Sequence, residues 1–252
     1  MKTFKRETKI LGASGILTAT LLAIGTSASA APTITSAIGG VPTGHPSIQY
    51  ENFNGLTVGR TGGTTSTGIK VTFGRDGKVV TGSSGGLYAA PYLSGQNASL
   101  FGNSPATGKD TTKYLTSGAT NSYSTANATL VFPKQEKYLG LLWGSVDKKN
   151  KLSFYNSATV FDSTTRIASY KGTAVNANAS GNQGAMGTYY VNFNLATPFK
   201  SVVATSPTHA FEFDNVAFSP NDPSLVSEPG SLRLLALGLT LLGFGMWRRK
   251  RQ

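Results

Sequence analysis

Cysteine is absent from the 252 residues, and histidine occurs only twice. The first absence excludes disulfides, Cys-ligated zinc or iron–sulfur sites and a thiol nucleophile. Charged residues make up 13% of the chain against 39% hydrophobic, which fits neither a highly charged disordered chain nor a polytopic membrane protein. Acidic residues are scarce: 11 Asp+Glu stand against 23 Lys+Arg, a formal net charge of +12. The middle of the chain has no convincing amphipathic helix, no internal repeat, no Pro-rich linker and no block of like charge. No Gly-x-Ser-x-Gly elbow marks a serine nucleophile.

What is present begins at the ends. Lys2, Lys5, Arg6 and Lys9 form a basic start, Ile10 to Gly25 carry no charge, and Ala28-Ser29-Ala30 is a small-residue cleavage site. Residues 1–30 therefore read as a secretory signal peptide cut after Ala30 and handled by the general (Sec) export machinery. At the other end, residues 231–247 form an apolar stretch interrupted only by Arg233 and closed by Trp247. It is slightly shorter than the roughly 20 residues of a full bilayer span, but Arg233 can snorkel and Trp247 suits the interface. Arg248, Arg249, Lys250 and Arg251 follow as a membrane stop, expected on the cytoplasmic side.

Ser227-Glu228-Pro229, the apolar helix and the Arg-rich end together resemble the PEP-CTERM sorting signal, with Ser227 in place of that motif's first proline. The resemblance implies recognition and cutting by an exosortase-like enzyme of a Gram-negative bacterium. The chain would then be held transiently in the inner membrane and released to the cell surface or extracellular matrix. The expected organisation is a signal peptide over 1–30, an ectodomain over 31–219, a linker over 220–227 and the sorting signal over 228–252.

The ends also account for most of the charge. Residues 1–30 carry a net +3 and residues 228–252 a net +4, leaving 14 basic and 9 acidic residues, a net +5, on residues 31–227. The basic residues of that body are scattered, apart from Lys148-Lys149 with Lys151, which read as a solvated turn. No nucleic-acid-binding pattern accompanies them, so no nucleic-acid partner is expected.

The body reads as all-β. Short runs rich in β-branched and aromatic residues alternate with Gly/Ser/Thr/Asn/Asp clusters. Strands are expected over 48–53, 69–73, 129–132, 138–146, 152–155, 166–170, 188–195, 201–205 and 210–218. Val191, Phe193 and Leu195 share one face of their run, with Asn192 and Asn194 on the other. Residues 138–146 are apolar on both faces, with Leu139, Leu141 and Trp143 opposite Tyr138, Leu142 and Val146, as in a central strand covered on both sides. Asp147-Lys148-Lys149-Asn150 is expected to turn a hairpin into 152–155. The spacing favours an antiparallel β-sandwich or jelly roll. Residues 55–126 are richer in Gly, Ser and Thr and predict weak strands and long loops.

Glu212 and Asp214 are the main candidate for chemistry. At i and i+2 of a strand they share one face, about 6 to 7 Å apart along the backbone. That spacing suits a carbohydrate-binding or glycan-cleaving acid pair, or an oxygen-ligand set for Ca²⁺ with Asn215. It equally suits a polar strand edge. His45 and His209 each stand alone, although His209 precedes the same strand. Trp143 belongs in the core, whereas Tyr88, Tyr92 and Tyr123 lie in Gly/Ser-rich segments where they could stack on sugars. The Asn-x-Ser/Thr triplets at Asn97, Asn127 and Asn178 are expected by chance from this composition.

Four further runs resemble a group of exosortase-dependent surface proteins: Tyr88 to Pro91, Thr111 to Leu115, Leu141 to Asp147 followed by Leu152 to Asn156, and Phe211 to Val216. What that resemblance implies is an exported surface protein; the chain as a whole is read as structural or adhesive, with exopolysaccharide as a partner. The resemblance supplies no catalytic residue and no cofactor.

Overall fold

The computed structural model describes residues 31–43, 47–118, 127–207 and 211–221. Several expectations fall outside these: Ala28 and Ala30, His45, Tyr123, His209, Ser227-Glu228-Pro229, helix 231–247 and the basic residues 248–251. Among the described residues, no helix is long and apolar enough to cross a membrane.

The described chain is all-β, and every strand pair is antiparallel. The first strands are short: β1 (Thr33–Ala37), β2 (Gln49–Glu51), β3 (Gly63–Thr64), β4 (Lys70–Phe73), β5 (Lys78–Val80), β6 (Tyr92–Leu93), β7 (Gly108–Lys109) and β8 (Tyr114–Ser117). Then come β9 (Asn127–Gly144), β10 (Lys151–Tyr155), β11 (Arg166–Lys171), β12 (Tyr189–Thr205) and β13 (Phe211–Ser219). The helices are single turns, α1 (Gln96–Ser99) and α2 (Gly172–Val175).

Two long strands organise everything else. The runs expected at 129–132 and 138–146 are one 18-residue strand, β9, and those at 188–195 and 201–205 are one 17-residue strand, β12. Each run breaks at a proline, Pro133 or Pro198, which cannot donate to a ladder. The chain nevertheless continues as an irregular strand, with register shifts on either side of Phe199. The Lys200 ammonium donates to the Pro133 carbonyl at 2.8 Å and ties the two irregular stretches together.

On one side of these stretches the order is β11-β10-β12-β9-β4-β3. On the other it is β1-β12-β9-β13-β8-β5, with β2 beside the far end of β13. The two halves face each other as sandwich layers. Phe154 of β10 meets Phe193 of β12 at 5.2 Å, and Phe132 of β9 meets Phe218 of β13 at 5.1 Å. Each such ring, wholly buried, contributes about 1.5–3 kcal/mol to holding the layers together without disulfides.

Residues 138–144 are covered on both faces, as their two-sided apolarity predicts. Leu139, Leu141 and Trp143 join the inter-layer core, while Tyr138 and Leu142 pack outward against Leu93, Ala98 and Phe101. Val146 differs from expectation: it lies past the strand end, beyond Ser145 at φ 38°, and joins the inner core instead. The turn at 147–150 forms, with Asn150 N–H donating to the Asp147 carbonyl at 3.0 Å, but it closes no hairpin. β12 lies between β9 and β10, because a long strand is already paired along that edge. Asn192 is also buried rather than solvent-facing: it accepts from the Tyr138 hydroxyl at 2.6 Å and donates to the Val41 carbonyl.

The segment between β5 and β8, rich in Gly and Ser, lies over the outer face of β9, β12 and β13. Its anchors are two clusters, Leu93, Ala98 and Phe101 against Tyr138, Leu142, Tyr190 and Ala217, and Ala90 against Val80 and Tyr114. This cover is what defines the polar site.

Candidate functional site

β13 alternates on either side of an irregularity at Asn215. Phe211, Phe213, Val216 and Phe218 enter the inter-layer core. Glu212 and Asp214 point to the other face, as their i, i+2 spacing predicts. That face is sealed: Glu212 is 2% exposed and Asp214 0%.

Their partners come from distant sequence. Glu212 Oε1 accepts the Ala89 N–H at 2.7 Å, and Oε2 accepts the Ser145 hydroxyl at 2.6 Å. The Ala89 segment can come this close because Gly144 opposes Glu212 in the ladder; a Cβ on Gly144 would sit 3.1 Å from Pro91 Cγ. Burial pushes the Glu212 carboxyl up to about 7, against the pull of these two donors.

Asp214 belongs to a second network. Asn103 Nδ2 donates to Asp214 Oδ2 at 2.6 Å and lies 2.9 Å from Asn215 Oδ1 and 3.2 Å from Asp110 Oδ2. Asp110 Oδ1 accepts the Thr112 N–H and hydroxyl at 2.8 and 2.6 Å. Asn215, at φ 52° beside the register shift of β13, donates to the Asn97 carbonyl at 2.6 Å. Its own carbonyl accepts the Tyr190 hydroxyl at 3.1 Å. Burial raises Asp214 well above the usual carboxylate range, and the neighbouring Asp110 carboxylate raises it further. The Asn215 N–H and the Asn103 amide oppose the shift only in part. Asp214 Oδ1 makes no hydrogen bond of normal geometry. The neutral, protonated form of Asp214 is thereby favoured.

Glu212, Asp214 and Asn215 thus divide between two networks instead of forming one ligand set. The oxygens placed to face a cation are Asp110 Oδ2, Asp214 Oδ2 and Asn215 Oδ1, and Asn103 Nδ2 stands at their centre. Among the described residues, no group of three or more His, Cys, Asp or Glu gathers as for a metal ion. As an acid pair for a glycan, Glu212 and Asp214 lack access: neither carboxyl reaches solvent.

Sequence reasoning missed Asp110, Asn103 and Ser145. Asp110 carried a local signal, since an Asp followed two residues later by a Thr it can accept from marks an Asx turn. The runs from Tyr88, Leu141 and Phe211 meet at Glu212, through Ala89 and Ser145, and the run from Thr111 enters the second network through Thr112. Of the sugar-stacking candidates, Tyr88 is half-buried under the Lys78 ammonium, 5.2 Å from its ring centroid, and Tyr92 is half-buried in β6. Trp143 is in the core, stacked on Phe211 at 4.1 Å.

No protein-family model and no curated protein matches the chain. Among solved structures it is similar to the K1 cleaved adhesin domain of Lys-gingipain from Porphyromonas gingivalis. The match has 13% identity and a TM-score of 0.35, over 69% of this chain and 98% of that one. It is also similar to the K2 cleaved adhesin domain of Lys-gingipain, at 10% identity and a TM-score of 0.38, over 69% and 99% of the two chains. Neither superposition is close enough to carry an argument about this chain.

Proposed function

We propose that the chain is an exported cell-surface or extracellular-matrix protein with a structural or adhesive body. It is delivered by the Sec machinery, held transiently in the inner membrane and cut near Glu228-Pro229 by an exosortase-like enzyme. The observation that carries this reading is the pairing of the two ends. A basic, apolar, Ala-x-Ala leader opens the chain, and Ser227-Glu228-Pro229, an apolar stretch and Arg248–Arg251 close it.

The fold is consistent with that layout. β1 begins at Thr33 and β13 ends at Ser219, so both processing points flank the described strands. A non-catalytic body is supported by the way its acid pair is spent. Glu212 tethers the Ala89 segment and Asp214 the Asn103 segment, so the carboxyl groups hold a cover in place.

Intact mass and cell fractionation test the reading, in a Gram-negative host with an exosortase-like enzyme and in one without. The expected product with the enzyme is an extracellular species that begins at Ala31 and lacks the residues beyond Pro229. Without the enzyme, the chain should stay in the membrane fraction with its tail intact. A secreted species that still carries Trp247 and Arg248–Arg251 would rule out the cut, and a cytoplasmic chain would rule out export.

A further inference from the structure

The fold sorts charge by sign. Eight acidic residues lie among the described residues, and six are buried: Glu51, Asp76, Asp110, Glu136, Glu212 and Asp214. All 14 basic residues of the body are described, and none is buried. The net +5 of the body therefore understates what solvent meets, because most of the compensating negative charge sits inside.

Four of these 14 basic residues gather at one place. Lys148, Lys149, Lys151 and Lys171, with Thr205 and Pro207, line a pocket of about 300 Å³ with no carboxylate among the described residues of its wall. The lysines are fixed by backbone geometry. Lys151 opens β10 and Lys171 closes β11, and the two are direct cross-strand partners. Lys148 and Lys149 sit on the 147–150 turn, which is tied to the end of β11 by the Gly172 N–H to Asn150 carbonyl bond at 2.9 Å. Gly172 is forced there: a Cβ would lie 2.1 Å from the Asp147 carbonyl oxygen. Asp147 Oδ1 accepts the Lys149 backbone N–H at 2.8 Å. None of the four ammonium groups has a carboxylate partner among the described residues. Like charges directly opposite in a ladder destabilise it, so this arrangement carries a cost that a bound anion would relieve.

The chemistry of the wall narrows the ligand. All four cations are lysines, point charges that attract anionic oxygens, carboxylate and phosphate alike. Among the described residues, no aromatic side chain lines the pocket for a base to stack on. The volume lies at the small end of ligand-sized sites, about 300–1,000 Å³, and suits a sugar unit or two.

We propose that this pocket binds an acidic polysaccharide, with Lys148, Lys149, Lys151 and Lys171 receiving its carboxylates. The proposal deepens the adhesive reading above, and rests on it, by naming the ligand class.

The test uses the full chain, solubilised in detergent and immobilised, with polygalacturonate as probe and dextran and a DNA duplex as comparisons. One variant replaces Lys148, Lys149, Lys151 and Lys171 with alanine. A charge-matched variant replaces Lys70, Lys109, Lys134 and Lys137, which lie elsewhere on the fold. Exposed ion pairs each strengthen association by roughly 1.5- to 5-fold. The pocket variant should therefore bind polygalacturonate about fivefold to several-hundredfold more weakly, while the matched variant stays within about twofold. Dextran should not bind. Equal losses in both variants would reduce the effect to net charge and overturn the site. Tighter, lysine-dependent binding of DNA would overturn the polysaccharide assignment, and no binding of polygalacturonate would overturn the proposal outright. Sorting is read separately by mass and fractionation. A chain that binds polyuronate yet remains cytoplasmic defeats the export reading alone, and an exported chain that ignores polyuronate defeats this proposal alone.

Discussion

The polar face behind β13 and the lysine pocket at the ends of β10 and β11 are both built from charged side chains, yet they behave as opposites. Behind β13, Glu212, Asp214 and Asp110 are out of water, and each is spent on hydrogen bonds to the segment that covers them. At the pocket, four ammonium groups stay in or near water with no carboxylate among the described residues of the wall. Enclosure favours the neutral form of Glu212 and Asp214, because a charged carboxylate is costly away from water. Exposure leaves lysines free to project a field. The first region should answer to truncation and pH, and the second to ionic strength.

The largest effect is expected from cutting the fastener. Asp214→Ala leaves the Asn103 amide and the Asp110 carboxyl facing a buried gap, at a cost of about 3 kcal/mol in urea unfolding followed by tryptophan fluorescence. Asp214→Asn should cost about 1 kcal/mol or less, because the amide keeps an acceptor for Asn103 and offers a donor toward the neighbouring Asp110 side chain. An alanine variant as stable as the parent would mean that apolar contacts alone hold the cover on the sheet.

Next comes pH. The Glu212 carboxyl is raised from its ordinary 4.5 to about 7, so the folded chain holds that proton more tightly than the unfolded chain. Its contribution is greatest below about pH 4.5 and declines as pH rises to about 7, by up to about 3 kcal/mol. Glu136 works in the same direction: burial raises it to about 7, against Lys134 and Lys200. Urea midpoints measured across that window should fall with rising pH. Glu212→Gln keeps an acceptor for Ala89 and a partner for Ser145, and should remove part of the slope. An unchanged slope would show that Glu212 titrates as a solvated acid.

Much of this architecture is legible in the sequence where a pattern is local. The two-sided apolarity of 138–144 announces a doubly covered strand, and the alternation in β13 announces that Glu212 and Asp214 share a face. What lies on that face is not legible. The cover comes from residues about 100 or more positions earlier, and its attachment depends on Ala89 N–H and Asn103 Nδ2, groups with no pattern of their own. The length of β9 and β12 is hidden for a related reason. Pro133 and Pro198 read locally as strand ends, and only pairing between the two irregular stretches keeps the chain extended through them. The 147–150 turn is visible, but a turn does not disclose that a strand from 40 residues later inserts beside it.

The smallest effect belongs to the pocket and separates it most sharply from the acids. Lys151 and Lys171 are directly opposed in the β10–β11 ladder, so their repulsion is part of the folded state and absent from the unfolded chain. Lys171→Glu converts that pair to an attractive one across the same register. Lys171 is exposed, and exposed pairs are worth only about 0.2–1 kcal/mol, so a gain of roughly 0.5 kcal/mol is expected at low ionic strength. Screening should shrink that gain as salt is added, because the Debye length falls from about 30 Å at 0.01 M to about 3 Å at 1 M. The cost of Asp214→Ala should stay nearly constant over the same range, since no counter-ion reaches a side chain that is 0% exposed. Thermal melts of both variants at low and high salt make the comparison. A Lys171→Glu gain that ignores salt would place its origin in packing, and the lysine pocket would then project a weaker field than its composition implies.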